Sequence, residues 1–180
     1  ATTTLVEYKG IRIIFAMTPN KVVAVNADNG QLLFTMPQEA KYGINATQPT
    51  FHDGELFTST GYGVGSNMWL VSVNGNKVTA KKKWDSTDLD NHHGGVILLD
   101  GHLYGACHNK HGARWVCLDW DTGKLTCEDE GVGKGSVTFA DGMLYELSEK
   151  SKMGLVRPDP KGCETVSTFT VPKGGKGPTW

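Results

Sequence analysis

The chain has 180 residues and a formal net charge of −1, so no global field draws it to nucleic acid or to an anionic membrane. Its 23 glycines, spread among short apolar segments bounded by Gly, Asn and Asp, exclude a helical bundle and point to an all-β chain rich in turns. The longest apolar run, IRIIFAM, is too short to span a bilayer. ATTTLVEYKG at the N-terminus lacks the basic start and apolar stretch of a signal peptide, so the chain is expected to be cytoplasmic or a mature exported product.

The first unit opens on YKGIRIIF at 8–15, a half-match to a phrase that returns later. KVVAVNADNGQLLF at 21–34 follows, two apolar strands around a turn at Ala27, Asp28, Asn29 and Gly30. The second unit runs from ATQPTFHDGELFTST at 46–60 to MWLVSVNGNKVTAKKKW at 68–84. Between them GYGVGSN mimics a phosphate-binding loop, but such a loop needs a following helix, and MWLVSV alternates as a strand. A flexible hairpin loop is the better reading. KKKW at 81–84 is too short to argue nucleic-acid binding and suits a solvated edge strand.

The third unit is the clearest. HHGGVILL at 92–99 is predicted as strand one, HLYGACH at 102–108 as strand two, RWVCLDW at 114–120 as strand three and LTCEDE at 125–130 as strand four. Alternation puts Trp115, Cys117 and Asp119 on one face, and Val116, Leu118 and Trp120 on the other. Both faces carry apolar side chains, as in a sheet held between two others. The fourth unit runs from GSVTFADGMLYELS at 135–148 to MGLVRPDPKGCETVSTF at 153–169. There Arg157, Pro158 and Pro160 replace the apolar-Asp pair, which predicts an exposed or bulged strand.

The recurring Asp-Gly phrases start at Asp53, Asp100 and Asp141, 47 and 41 residues apart. Asp-Gly supplies the positive φ that tight hairpins require. Four short strands in each ~40–50-residue repeat are the signature of propeller blades. The expected fold is therefore an all-β β-propeller of four blades, at about 1–40, 41–86, 87–131 and 132–176.

The residues VVAVNADNGQLLF, NHHGGVILLDGHLYG, WVCLDWDTGK and GKGSVTFADGMLYELSEK resemble the quinoprotein alcohol dehydrogenase-like, or pyrroloquinoline-quinone-like, β-propellers. They are similar above all to the bacterial branch related to the outer-membrane assembly lipoprotein propellers. The family's blade phrase runs apolar-Asp-x-x-Thr-Gly-Lys-x-x-Trp, and Leu118 to Lys124 fit it. The resemblance specifies the blade and hardly at all the activity. Such propellers have about seven or eight blades, so the chain is expected to be a fragment, half of an eight-bladed ring. KGGKGPTW at 173–180 reads as the approach to a further blade. Two copies could complete the ring as a homodimer; a self-closed four-bladed ring is the alternative. The resemblance implies a periplasmic or extracellular location. Its quinone-using members hold pyrroloquinoline quinone with calcium, acidic ligands, a stacking Trp and often a disulfide between adjacent cysteines. Here no Cys-Cys pair and no matching acidic cluster exist, so no cofactor is predicted.

The loops leading into first strands supply the candidate ligand site at the channel mouth: Asn45 and Gln48, His92 and His93, Lys134 and Ser136. Such a ring could take a polar or anionic small ligand, or satisfy loop backbone and channel water. Asn45 also opens an Asn-Ala-Thr acceptor for glycosylation, idle in a bacterial protein. Cys107, His108 and His111 lie close in sequence, yet loop chemistry explains them better than a metal. Cys107, Cys117, Cys127 and Cys163 fit no zinc pattern. Cys117 and Cys127 fall opposite each other across a hairpin, where a disulfide is awkward and free thiols are preferred. Trp69, Trp115 and Trp120 are assigned to blade packing. No catalytic constellation can be placed. The expected function is a propeller-type binding or scaffold protein with a small polar ligand or a protein partner. The alternative is part of a quinone-dependent, calcium-assisted alcohol or sugar dehydrogenase.

Overall fold

The computed structural model describes residues 2–172, 178 and 179. The segment read as the approach to a further blade lies mostly outside the described residues. The strands form four sheets, each a four-stranded antiparallel meander in chain order. The first holds β1 (Thr4–Tyr8), β2 (Ile11–Met17), β3 (Lys21–Asn26) and β4 (Leu32–Pro37). The second holds β5 (Thr50–His52), β6 (Glu55–Thr60), β7 (Gly65–Asn74) and β8 (Lys77–Ser86). The third holds β9 (Val96–Leu99), β10 (His102–Ala106), β11 (Trp115–Asp119) and β12 (Leu125–Asp129). The fourth holds β13 (Gly135–Ala140), β14 (Met143–Ser148), β15 (Lys152–Arg157) and β16 (Glu164–Thr170).

The repeated phrase is the turn between first and second strands. Tyr8 pairs with Ile11, His52 with Glu55, Leu99 with His102 and Ala140 with Met143. The two residues between each pair all have φ between 44° and 83°. Two successive positive φ values define the type I′ turn, whose twist matches that of the flanking strands. Asp tolerates the left-handed region because its short side chain bonds locally; Lys9 takes that place in the half-match. The later turn is shared as well. Gly30 N–H donates to Asn26 O and Gly123 N–H to Asp119 O, both at 2.9 Å.

One strand expectation needs correction, and a second holds for the bulge but not for its cause. His92, His93, Gly94 and Gly95 precede β9 rather than opening it. A Cβ on Gly94 would lie 1.9 Å from Gly135 O, and Gly94 O accepts the Val137 N–H at 3.1 Å. The backbone there joins the fourth sheet instead of extending the third. Pro158 and Pro160 lie in the loop after β15, which pairs on both sides with β14 and β16. Its bulge between Leu155 and Val156 has counterparts in the other three sheets, so the prolines do not cause it.

Three buried seams join the sheets in series. Ile13, Phe15, Val22 and Ala24 of the first sheet meet Leu56, Trp69, Val71 and Val78 of the second. The opposite face of the second sheet sends Phe57 and Met68 against Leu103, Val116, Leu118 and Trp120 of the third. The expected face assignment of β11 holds: Cys117 turns the other way and packs with Tyr104 against Leu144 and Val156 of the fourth. Full burial of each such side chain is worth about 1.5–3 kcal/mol. Among the described residues, none of these clusters joins the first sheet to the fourth.

The third seam is the thinnest, with four buried residues in its cluster against eight in each of the others. It also encloses Glu146, 3% exposed, whose Oε2 is buried without a hydrogen-bond partner. Burial first, then the neighbouring charges of Asp129 and Cys127, push this carboxyl up to about 8. The folded chain therefore keeps a proton that the unfolded chain releases near the ordinary value of 4.5. This contribution to stability is present below that value and is lost as pH rises towards 8. Relative to Glu146→Gln, the wild type should lose stability to urea across this interval at up to about 1.4 kcal/mol per pH unit. Equal slopes in wild type and variant would refute the assignment.

Candidate functional site

In an antiparallel meander the loops after second and fourth strands lie at one end of the sheet, and the hairpins of the repeated phrase lie at the other. The first end carries the polar cluster. Tyr62 comes from the β6–β7 loop, and His92 and His93 from the segment before β9. His108 comes from the β10–β11 loop, Lys134 from the segment before β13, and Glu149 from the β14–β15 loop. Tyr62 meets the rings of His92 and His108 edge-on, at centroid distances of 4.9 and 4.4 Å. His92 lies 4.9 Å from His93 and 4.8 Å from His108. Tyr42, exposed in the loop before β5, extends the row to Tyr62 at 5.2 Å. Both tyrosines have left-handed backbone, with φ of 62° and 61°, an uncommon conformation for bulky residues.

The organiser of these loops is the fully buried Asp90. Its carboxylate accepts the Gly63 N–H of one loop at 2.7 Å, and the N–H groups of His108, Asn109 and Lys110 of the next at 3.0–3.1 Å. One charge thus sets Tyr62 opposite His108. Gly61 permits the approach, since a Cβ there would lie 3.0 Å from that of His92.

The cluster is almost uncharged at neutral pH. Burial, then the positive neighbours His108, His93 and Lys134, lower His92 to about 4. Burial also lowers His93 and His108, assisted by Lys134. His93 Nε2 lies 3.1 Å from Glu149 Oε1; with the ring neutral this is a hydrogen bond and not an ion pair. The ion pair is Lys134 with Glu149, at 3.0 Å. Burial opposes ionisation of Glu149, but the hydrogen bond and charge of Lys134 outweigh it and hold the carboxyl below its usual range. Lys134 Nζ also donates to His108 Nδ1 at 3.2 Å, leaving the proton of that neutral ring on Nε2. Both ring nitrogens of His92 are buried without a partner. A cavity of about 350 Å³ opens beside Lys134 and Glu149, walled by Gly112 and Ala113 on one side and by Ser148 and Lys150 on the other.

Of the six residues expected at the channel mouth, His92, His93 and Lys134 come together here. Asn45 is 9% exposed. Its amide donates to Thr18 O and its oxygen accepts from Thr60, each at 2.6 Å. That occupation ties the first sheet to the second and leaves the glycosylation motif no free amide. Gln48 reaches Thr4 Oγ1 at 3.3 Å. Ser136 pairs with Leu147 on the outward face of the fourth sheet, away from the histidines. Tyr62, His108 and Glu149 lie in loops after second strands, outside the first-strand loops from which the channel-mouth residues are expected. The same meander rule would have added the loops after second strands.

The Cys107, His108 and His111 segment disperses. Cys107 donates to Asp88 O, His108 joins the cluster, and His111 lies 3.3 Å from Asp88 and 2.6 Å from Glu128. No group of three His, Cys, Asp or Glu among the described residues is arranged to hold a metal. The described residues do not fit quinone and calcium. The Asp90 oxygens are committed to backbone N–H groups. The indoles of Trp69, Trp84 and Trp115 donate within or beside the seams, to Thr58, Trp120 O and Gly133 O.

No family model matches the chain, and no curated protein does. Solved structures do match. BamB from Moraxella catarrhalis aligns with a TM-score of 0.63 at 10% identity, over 92% of this chain and 48% of its own. Quinohemoprotein alcohol dehydrogenase from Comamonas testosteroni aligns with a TM-score of 0.58 at 12% identity, over 89% of this chain and 34% of its own. The computationally designed Ika4 protein aligns with a TM-score of 0.59 at 15% identity, over 86% of this chain and 90% of its own. The chain thus spans about half of BamB and about a third of the dehydrogenase. These likenesses establish the fold: the chain is a β-propeller with four sheets among the described residues.

The electrostatics of the cluster can be tested directly. Replacing Lys134 by Gln removes a positive neighbour and frees Glu149. NMR titration should show His92, His93 and His108 moving upward by roughly 0.5 to 1 in pH. Unmoved titrations would show that Lys134 does not govern these rings.

Proposed function

We propose that this chain is a propeller-type binding protein that takes a small, polar, uncharged ligand at the His92–Tyr62–His108 cluster. The observation that carries the reading is the orphaned His92 ring. A neutral imidazole offers one donor and one acceptor, which is the pattern of a hydroxyl group. The aromatic row of Tyr42 and Tyr62 supplies faces for the ligand's apolar side. The near absence of net charge disfavours an anion at neutral pH. Periplasmic or extracellular action is proposed on the sequence resemblance. The test is histidine-detected NMR with glucose as the hydroxylated probe and succinate as the anionic one. Glucose should perturb His92 and His108, and His92→Ala should weaken it by about tenfold. Binding of succinate alone, of neither probe, or of glucose unaffected by His92→Ala would overturn the reading.

A second reading concerns assembly. The outward face of the first sheet aligns Leu5, Ile14, Val25 and Leu32 in one cross-strand row, with Leu5 and Leu32 exposed by 55% and 58%. The outward face of the fourth aligns Leu147, Met153 and Phe169, with Phe169 exposed by 58%. These rows resemble the residues that fill the internal seams. A second copy, its first sheet on this fourth sheet and the reverse, would close an eight-bladed ring about a two-fold axis. Light scattering should give a dimer that Leu5→Glu converts to monomer; a monomeric wild type would rule this assembly out.

A further inference from the structure

The three-thiol cluster at the third seam belongs to neither reading above. Cys117 and Cys127 are register partners on β11 and β12. Cys163 comes from the loop between β15 and β16, in the next sheet. The sulfurs of Cys127 and Cys163 both contact the same carbonyl, Asp159 O, at 3.8 and 3.9 Å. Both residues also pack against the buried cluster of this seam. All four cysteines of the chain are free thiols; Cys107 and Cys117 are buried, while Cys127 and Cys163 are half-exposed.

We propose that Cys127 and Cys163 are a thiol–disulfide exchange site, oxidised by small-molecule disulfides to a bond that staples the fourth blade to the third.

Access and chain freedom select this pair. An oxidant in solvent reaches Cys127 and Cys163 but not Cys117. Both Cys117 and Cys127 are held by the strand ladder, whereas the loop carrying Cys163 can adjust to the narrow geometry of a disulfide. Thiol hydrogen bonds, first from Cys117 and then from Cys163, favour the thiolate of Cys127 against the effect of burial, and the thiolate is the attacking species. In the first step Cys127 sulfur attacks one sulfur of the oxidant. The oxidant's S–S bond breaks, one small thiol leaves, and a mixed disulfide forms. In the second step Cys163 loses its proton and attacks the Cys127 sulfur, releasing the second small thiol. The protein gives up two protons and two electrons, and the oxidant is reduced to two thiols. The bond would lie at the seam with the smallest apolar cluster, where a covalent tie contributes most.

The test treats the full chain with oxidised glutathione and maps peptides under non-reducing conditions. The expected result is a peptide pair linking Cys127 to Cys163, with free thiols falling from the four of the starting protein to two. The melting midpoint should rise on oxidation and return with reductant. Cys163→Ser should arrest as a glutathione adduct on Cys127, while Cys117→Ser should still form the bond. A Cys117–Cys127 link, a link between chains, adducts without a bond, or an unmoved midpoint would overturn the proposal. The wild-type peptide map decides the pairing even where a variant does not fold.

Discussion

Each sheet of this chain has two apolar faces, and a sheet with two apolar faces needs a neighbour on each side. Everything else in the structure follows from that need. Strand alternation sends Leu56 and Trp69 to one neighbour and Phe57 and Met68 to the other. The same division recurs in the third sheet, where Val116 and Leu118 point one way and Cys117 the other. Successive sheets therefore stack in series about an axis. The outer faces of the series expose Leu5 and Leu32 on the first sheet and Phe169 on the fourth.

The serial packing also gathers the polar loops. A meander that begins each sheet in the same direction delivers every second–third loop and every inter-sheet link to one end. At that end desolvation decides the chemistry. The rings of His92, His93 and His108 shield one another and sit near Lys134, so all three resist protonation. The one buried charge that the end requires, Asp90, is neutralised by backbone N–H groups instead of a cation. The result is a neutral, aromatic surface with a single ion pair at its border.

The fold leaves the chemistry open. Propellers host scaffolds and enzymes alike, and the site has to be argued from its own residues. At the polar end the Asp90 carboxylate is spent on backbone N–H groups and that of Glu149 on Lys134. The four tryptophans found in the described residues hold sheets together. Unspent groups include the imidazole of His92, Oε2 of Glu146 and the thiols of the third seam.

The Asp-Gly phrases made the hairpins legible in the sequence, because a two-residue turn with two positive φ values accepts few residue pairs. The alternation in RWVCLDW made both faces of β11 legible for the same local reason. The period then made the repeat legible, and with it the propeller. What the sequence could not show was which loop side chains meet. His92 and His93 stood out as polar residues, but Tyr62, His108 and Glu149 join them only through contacts between sheets. Asn45 and Ser136, equally polar, are drawn elsewhere by Thr18 and by the outward face of the fourth sheet. Local backbone preference fixes turns and strands within a few residues of chain. The protonation of a histidine, the isolation of Glu146 and the meeting of Cys127 with Cys163 depend on burial between sheets, and only the tertiary structure decides burial.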